Sequence, residues 1–364
     1  MNFNALFSLA AVLATLCGAA AGEPRQTPVF VSGQDGYHTY RIPAMVVTAK
    51  GTVLAFCEGR KNTSSDTGDI DLVLKRSTDG GRTFSKQQIV WDDGPNVCGN
   101  PCPVVDQQTG TIWLLLTHNL GIDPEPKIIE CTSKGTRTVW LSKSTDDGRS
   151  WTKPVEITAS TKKPDWTWYA TGPGAGIQLR SGRLVIPCDH IEAASKLYYS
   201  HLIYSDDHGT TWKLGGRAGP WTNECEVVEL ADGSLLLNMR NYDKRQRARA
   251  VATSRDGGLT WSAVRHDLVL VEPICQASIR RAPGAILFSN PAQAKARKEM
   301  TLRASFDEGR TWPVAKVLWP GPAAYSCLAV RADGKILCLY ERGLKRAYET
   351  ITLAEISPEW LKEK

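Results

Sequence analysis

Nothing in this sequence suits a membrane-spanning helix. No stretch approaches the roughly 20 consecutive apolar residues that cross a bilayer, although 42% of the 364 residues are hydrophobic. A basic stripe interleaved with aromatics is also missing. The net charge of +6 and the pI near 8.7 therefore suit an acidic substrate better than nucleic acid. The local basic runs (Lys244, Arg245, Arg247, Arg249; Lys295, Arg297, Lys298) read as solvated loops. No Cys/His spacing resembles a zinc site, and no metal or other cofactor is implied. There is no long helical pattern, no interdomain linker and no appended module. The length is ample for a large core, and all-β chains of this size often form one domain.

The one leader-like segment is at the start. Leu6 to Leu16 is an apolar run, and Gly18-Ala19-Ala20-Ala21-Gly22 offers small residues for cleavage. The preceding Met1-Asn2-Phe3-Asn4 carries no Lys or Arg, which weakens the pattern. The expectation is a signal peptide at 1–22, one domain over 23–364, and a secreted or periplasmic product without stable membrane insertion. Of ten cysteines, Cys17 falls in the leader and nine remain, so at least one thiol is unpaired. Cys57, Cys188, Cys225 and Cys338 sit in strand-like apolar runs, where a free cysteine acts as a small hydrophobe. Cys98 and Cys102 could pair.

An internal repeat carries the organisation. The pattern S-x-D-x-G-x-[TS]-[WF] occurs five times, starting at Ser77, Ser144, Ser205, Ser254 and Ser305 and ending at Phe84, Trp151, Trp212, Trp261 and Trp312. Each copy reads as a hairpin turn. Its Asp accepts backbone hydrogen bonds, its Gly supplies a positive φ, and its aromatic residue packs the turn onto a neighbour. These aspartates are thus structural. Ser77 to Ser305 is 228 residues over four intervals, an average of 57, which is one four-stranded propeller blade. About 340 residues then make six blades. The segment after Trp312 is too short for a full repeat, so the strand near Val29-Phe30-Val31 is expected to complete the last blade.

Structural residues should recur from blade to blade; site residues need not. Three arginines fail to recur in register: Arg303, two residues before its repeat; Arg240, fourteen before its repeat; and Arg41, in Tyr40-Arg41-Ile42-Pro43. Singly, each reads as a surface arginine. Their motifs change that. Tyr40-Arg41-Ile42-Pro43, with several of these aspartate-containing turns, resembles the signature of the exo-α-sialidases (neuraminidases) of bacteria and animals. The resemblance continues through Glu58-Gly59-Arg60, Ser65-Asp66-Thr67-Gly68-Asp69-Ile70-Asp71, Asn100-Pro101-Cys102-Pro103, Asn223-Glu224-Cys225-Glu226 and Ala324-Tyr325-Ser326. It covers nearly the whole chain beyond the leader.

The resemblance implies a six-bladed sialidase propeller that hydrolyses terminal sialic acids of glycoproteins, gangliosides or oligosaccharides, with retention of configuration. It implies that Arg41, Arg240 and Arg303 bind the substrate carboxylate. Arginine suits this, because its planar guanidinium gives paired, permanently charged donors. Glu341 resembles the glutamate that orients the first arginine; without the family it reads as a strand-end glutamate. Tyr325 resembles the nucleophile and Glu224 its base. A neutral phenol avoids the repulsion an Asp or Glu would meet from the substrate's own carboxylate, and a phenol with pKa near 10 needs a base. Glu226 and Glu229 are rivals to Glu224, and the choice rests on the motif. Asp66, in the polar loop Asn62 to Gly68, resembles the acid/base residue, with Asp69 and Asp71 as rivals. Arg60 resembles a pocket-lining residue, with Glu58 supporting it. Trp166, Trp168 and Tyr169 are either wall or core. Two other readings stay open: a sialic-acid-binding lectin, which would not need Tyr325, Glu224 and Asp66 together, and a trans-sialidase.

Overall fold

The computed structural model describes residues 22–361. The expected leader lies outside them apart from Gly22. The strands form six four-stranded antiparallel blades. Blade one is β2 (Thr39–Val47), β3 (Val53–Arg60), β4 (Ile70–Ser77) and β5 (Gln88–Trp91). Blade two is β6 (Val97–Val105), β7 (Ile112–Asn119), β8 (Thr138–Ser144) and β9 (Val155–Glu156). Blade three is β10 (Trp166–Thr171), β12 (Leu184–Glu192), β13 (Tyr198–Ser205) and β14 (Lys213–Ala218), with the short β11 (Ile177–Gln178) against β12. Blade four is β15 (Thr222–Glu229), β16 (Leu235–Asn241), β17 (Ala248–Ser254) and β18 (Arg265–Val271). Blade five is β19 (Ser278–Ala282), β20 (Ala285–Pro291), β21 (Lys298–Ser305) and the first half of β22 (Val314–Val330).

β22 is long enough to leave blade five and become the innermost strand of blade six. Its second half pairs with β23 (Ile336–Arg342), which pairs with β24 (Thr350–Ile356). The outer edge of blade six is β1 (Arg25–Val31), antiparallel to β24 from Arg25↔Glu355 to Val31↔Thr350. The N-terminal strand thus closes the ring on the last blade, as the repeat count requires. The two helices among the described residues, α1 (Glu125–Ile129) and α2 (Thr158–Thr161), are single turns, α1 between β7 and β8 and α2 between β9 and β10. Among the described residues no helix is long and apolar enough to cross a membrane.

The repeated turn follows the third strand of five blades and works as its residue types dictate. In the first copy the Asp79 carboxylate accepts the Ser77 hydroxyl (2.7 Å), the Thr83 hydroxyl (2.6 Å) and the N–H groups of Arg82 and Thr83 (3.0 Å each). The hydrogen bond from Thr311, in the fifth copy, leads those that hold Asp307 down at about 2. The aromatic residue packs across the blade gap: Trp151 meets Phe56 edge-on at 5.5 Å. The nine described cysteines are all free, Cys98 and Cys102 included.

The turns mark one end of every blade. The opposite end is where the innermost strand begins, the second ends and the third begins. There the ladders of five innermost strands break register: between Arg41 and Ala44, Gly99 and Cys102, Trp166 and Tyr169, Thr222 and Cys225, and Ala323 and Ser326. Such bulges re-aim side chains, and here they ring one mouth of the propeller axis.

Candidate active site

A polar cavity opens at this bulged end, and every blade supplies part of its wall. Blade one gives Arg41, Glu58, Arg60 and Asp66; blade two gives Asn100, Arg137 and, from α1, Glu125. Blade three gives Trp168 and Asp189, blade four Glu224, Arg240 and Tyr242, blade five Arg297 and blade six Tyr325.

The innermost strand of blade six places Tyr325 inside its bulge. The phenol donates to Glu224 Oε1 at 2.6 Å and accepts from Arg240 Nη1 at 3.1 Å. Arg240 Nη1 also bonds Glu224 Oε2 at 2.7 Å, closing a triangle of phenol, carboxylate and guanidinium. Burial first, and the Glu224 charge second, hold the phenol well above its usual range, so it stays protonated at rest. Behind the triangle, the fully buried Glu341 on β23 accepts Arg41 Nε at 2.7 Å, the N–H of Ile42 at 2.9 Å and the N–H of Tyr325 at 3.0 Å. Ile42 has φ 61, a strained value for a β-branched residue. Its hydrogen bond to Glu341 helps to hold it there.

The second strand of blade one ends in Glu58-Gly59-Arg60. Glu58 Oε2 accepts Arg60 Nη2 at 2.6 Å, and Glu58 Oε1 accepts the N–H of Asn100 at 3.0 Å. Gly99 makes that approach possible, since a Cβ there would lie 2.5 Å from Glu58 Oε1. Asp66 hangs over the mouth, 2.6 Å from Arg60 Nη2 and 4.0 Å from Arg41 Nη1. Crowding by its surroundings pulls its pKa up, but Arg60 and then Arg41 outweigh that and hold it low. Its side chain remains 65% exposed, so water damps the effect.

The rivals lie elsewhere. Glu226, beyond the bulge, points into the propeller axis and accepts Ser278 Oγ (2.7 Å) and the N–H of Ile279 (2.9 Å). Glu229 bonds Arg180. Asp71 is buried under Tyr37, and Asp69 faces Lys61. Of the three aromatics, Trp168 lines the cavity, whereas Trp166 and Tyr169 belong to the core.

One expected site residue is misplaced. Arg303 does not reach the cavity. It sits near the turn end of β21, paired with Phe288 and Ala315 and influenced by Asp267. The fifth-blade arginine in the cavity is Arg297, just before β21 begins. They are six positions apart, about 20 Å of extended chain. Arg297 Nη1 bonds Tyr348 Oη at 3.0 Å, Nη2 bonds the Ile274 carbonyl at 3.3 Å, and the guanidinium lies 5.7 Å from the Tyr325 ring centre. Its basic run was expected to be solvated, as was that of Arg249; Arg249 is instead fully buried and paired with Glu272.

Asp189 and Arg137, which no sequence motif marks, also line the cavity. Asp189 accepts Asn223 Nδ2 at 2.7 Å while its other oxygen has no partner. Burial, then the Glu224 charge, pushes its pKa far up. Arg137, also buried, donates to Asn100 Oδ1 and to Asn119 Oδ1, and lies 4.1 Å from the Trp168 ring centre. Both stand at the cavity end of their strands without a recurring counterpart, which was the available signal.

A ring of blades whose third strands end in aspartate turns, with guanidiniums gathered at one mouth, is a BNR-type propeller. The model of the BNR repeat-like domain matches residues 51–338. A sialidase of Micromonospora viridifaciens is 36% identical, over 92% of this chain and 55% of its own length. An exo-alpha-sialidase of Aspergillus fumigatus is 34% identical, over 90% of this chain and 86% of its own. Among solved structures, the Hadza microbial sialidase Hz136 superposes with TM-score 0.83 at 34% identity, over 91% of this chain and 68% of that one. The chain belongs to the sialidase family. It spans just over half the length of the Micromonospora relative.

Proposed function

We propose that the protein is an exo-α-sialidase that releases terminal α-linked sialic acid from glycans with retention of configuration. The observation that carries this reading is the Tyr325–Glu224 hydrogen bond of 2.6 Å beneath three guanidiniums. Arg41, Arg240 and Arg297 bind the substrate carboxylate; Arg297 takes the part first expected of Arg303. The bound carboxylate sets the anomeric carbon over Tyr325 Oη. As the phenol attacks, its proton passes to Glu224, and Arg240 stabilises the developing phenolate. Asp66 protonates the departing glycosidic oxygen, then takes a proton from the water that cleaves the tyrosyl–sugar bond, while Glu224 returns its proton to the departing Tyr325 oxygen.

In the free site Arg60 and Arg41 keep Asp66 ionised. A substrate carboxylate on Arg41 offsets part of that charge and so raises the pKa of Asp66 toward that of a working acid. Arg60, fixed by Glu58, and Glu341, fixing Arg41, preorganise the site. Residues 1–22 are proposed as a cleaved signal peptide, with the product secreted or periplasmic; N-terminal sequencing of the exported protein tests that. Incubation with sialyllactose, with and without excess lactose, tests the activity. Free sialic acid as main product supports the reading. Binding without turnover would indicate a lectin, and transfer to added lactose a trans-sialidase.

A further inference from the structure

The Arg137 side of the cavity is held from behind by a buried cation. Arg137 and Trp168 form a stacked pair in the wall formed by blades two and three. Among the described residues, no Asp or Glu oxygen lies within ion-pair distance of Arg137. Only the neutral amides of Asn100 and Asn119 receive its N–H groups, and its Nε has no partner. The position of this guanidinium therefore depends on its backbone. Lys162, at the end of α2, fixes that backbone. Its Nζ donates to the Arg137 carbonyl at 2.6 Å, to Thr136 Oγ1 at 2.8 Å and to the Thr167 carbonyl at 2.8 Å. The two segments so joined carry Arg137 and Trp168. Three acceptors need three N–H donors, and a lysine has three only as the ammonium.

We propose that Lys162 is a positioning residue that clamps the Arg137–Trp168 pair and thereby sets the affinity of the cavity for its substrate. This rests on the cavity being the sialoside site. Lys162 touches no cavity atom itself and acts through the pair. The chemistry at Tyr325, across the cavity, does not depend on it.

Burial, and then the charge of Arg137, push Lys162 down to about 7. His190 is pushed far down, His201 down to about 3 and Tyr169 far up, all chiefly by burial. Burial also lowers the pKa of Arg137, and Lys163 lies over Trp166. As pH rises through about 7, Lys162 loses its third donor and the clamp loosens.

The test is a kinetic double-mutant cycle with sialyllactose. Lys162→Met is expected to raise KM roughly tenfold, the scale of one lost charge-assisted hydrogen bond, with kcat within about twofold. Arg137→Gln should do the same, and the double variant should be no worse than Arg137→Gln alone. Wild-type KM should rise between pH 6 and 8, and that rise should vanish in Lys162→Met. Should Lys162→Met fail to fold, Thr136→Val removes one acceptor and should raise KM about two- to fivefold. Unchanged KM in these variants, effects that multiply in the double variant, or a fall in kcat alone would overturn the proposal. A folded wild type that cleaves no sialoside overturns the substrate reading itself, and this proposal with it.

Discussion

Replacing Glu341 by Ala removes the one carboxylate that joins three parts of the site. It accepts Arg41 Nε at 2.7 Å and the N–H groups of Ile42 and Tyr325 at 2.9 and 3.0 Å, and it is completely buried. Deleting one partner of a buried ion pair costs about 3–5 kcal/mol. The two orphaned N–H groups would add about 1–3 kcal/mol each if dry. They lie behind an open cavity, however, and water entering the vacated space can reach them, so the ion-pair figure is the better total. At roughly 2 °C per kcal/mol for a chain of this size, the melting temperature should fall by about 6–10 °C. Activity should fall further than stability. Arg41 loses its aim and the Tyr325 backbone loses an anchor, and a displacement of about 1 Å at such a site costs on the order of 100-fold. Glu341→Gln keeps one oxygen for these donors but turns an NH2 group toward the rest, so it should recover only part of the loss. The assay is calorimetry beside kcat/KM on a fluorogenic sialoside. Glu341→Ala with a melting point within about 2 °C of wild type and kcat/KM within about threefold would refute the reasoning.

Two further outcomes follow. Arg297→Lys should lower kcat/KM by at least roughly tenfold, because lysine keeps the charge but loses the paired donors, whereas Arg303→Lys at the turn end should leave it within about twofold; the reverse order in steady-state kinetics would restore Arg303 to the site. The five turn aspartates are depressed below their unfolded pKa near 3.9, Asp307 to about 2. Their stabilisation is therefore fully present above about pH 4 and lost as pH falls toward 2, so melting temperature should drop steeply across that window, and a flat profile there would contradict the role assigned to them.

The six blades and the closing strand were legible because the turn needs Ser, Asp, Gly and an aromatic at fixed offsets, and counting those turns counts blades. The motif residues Arg41, Arg60, Asp66, Glu224, Arg240, Tyr325 and Glu341 do converge with Glu58 around one cavity. Arg303 was misread because failing to recur identifies an unusual residue but not the end of the strand it occupies. The repeated turn lies at the opposite end of the blade from the cavity, so a residue two positions before it could not reach the site. Arg297, eight before the same turn, could. The choice between Glu224 and Glu226 was beyond alternation, since the break in register between Thr222 and Cys225 separates residues that strict alternation would place on one face. Arg137 and Asp189 stayed hidden because they lie near the ends of strands, Arg137 just before β8 and Asp189 three residues before the end of β12, where a polar residue usually marks only the return to solvent.

The central claim is that Tyr325 forms a covalent bond to the sugar. A 3-fluorosialyl fluoride tests it most directly, since fluorine beside the anomeric centre destabilises the oxocarbenium-like transition state and slows release of the intermediate. Digestion and peptide mapping of the labelled protein should place one sialyl adduct on Tyr325 and none in Tyr325→Phe. An adduct on Glu224 or any other residue, or full turnover by Tyr325→Phe, would contradict the account.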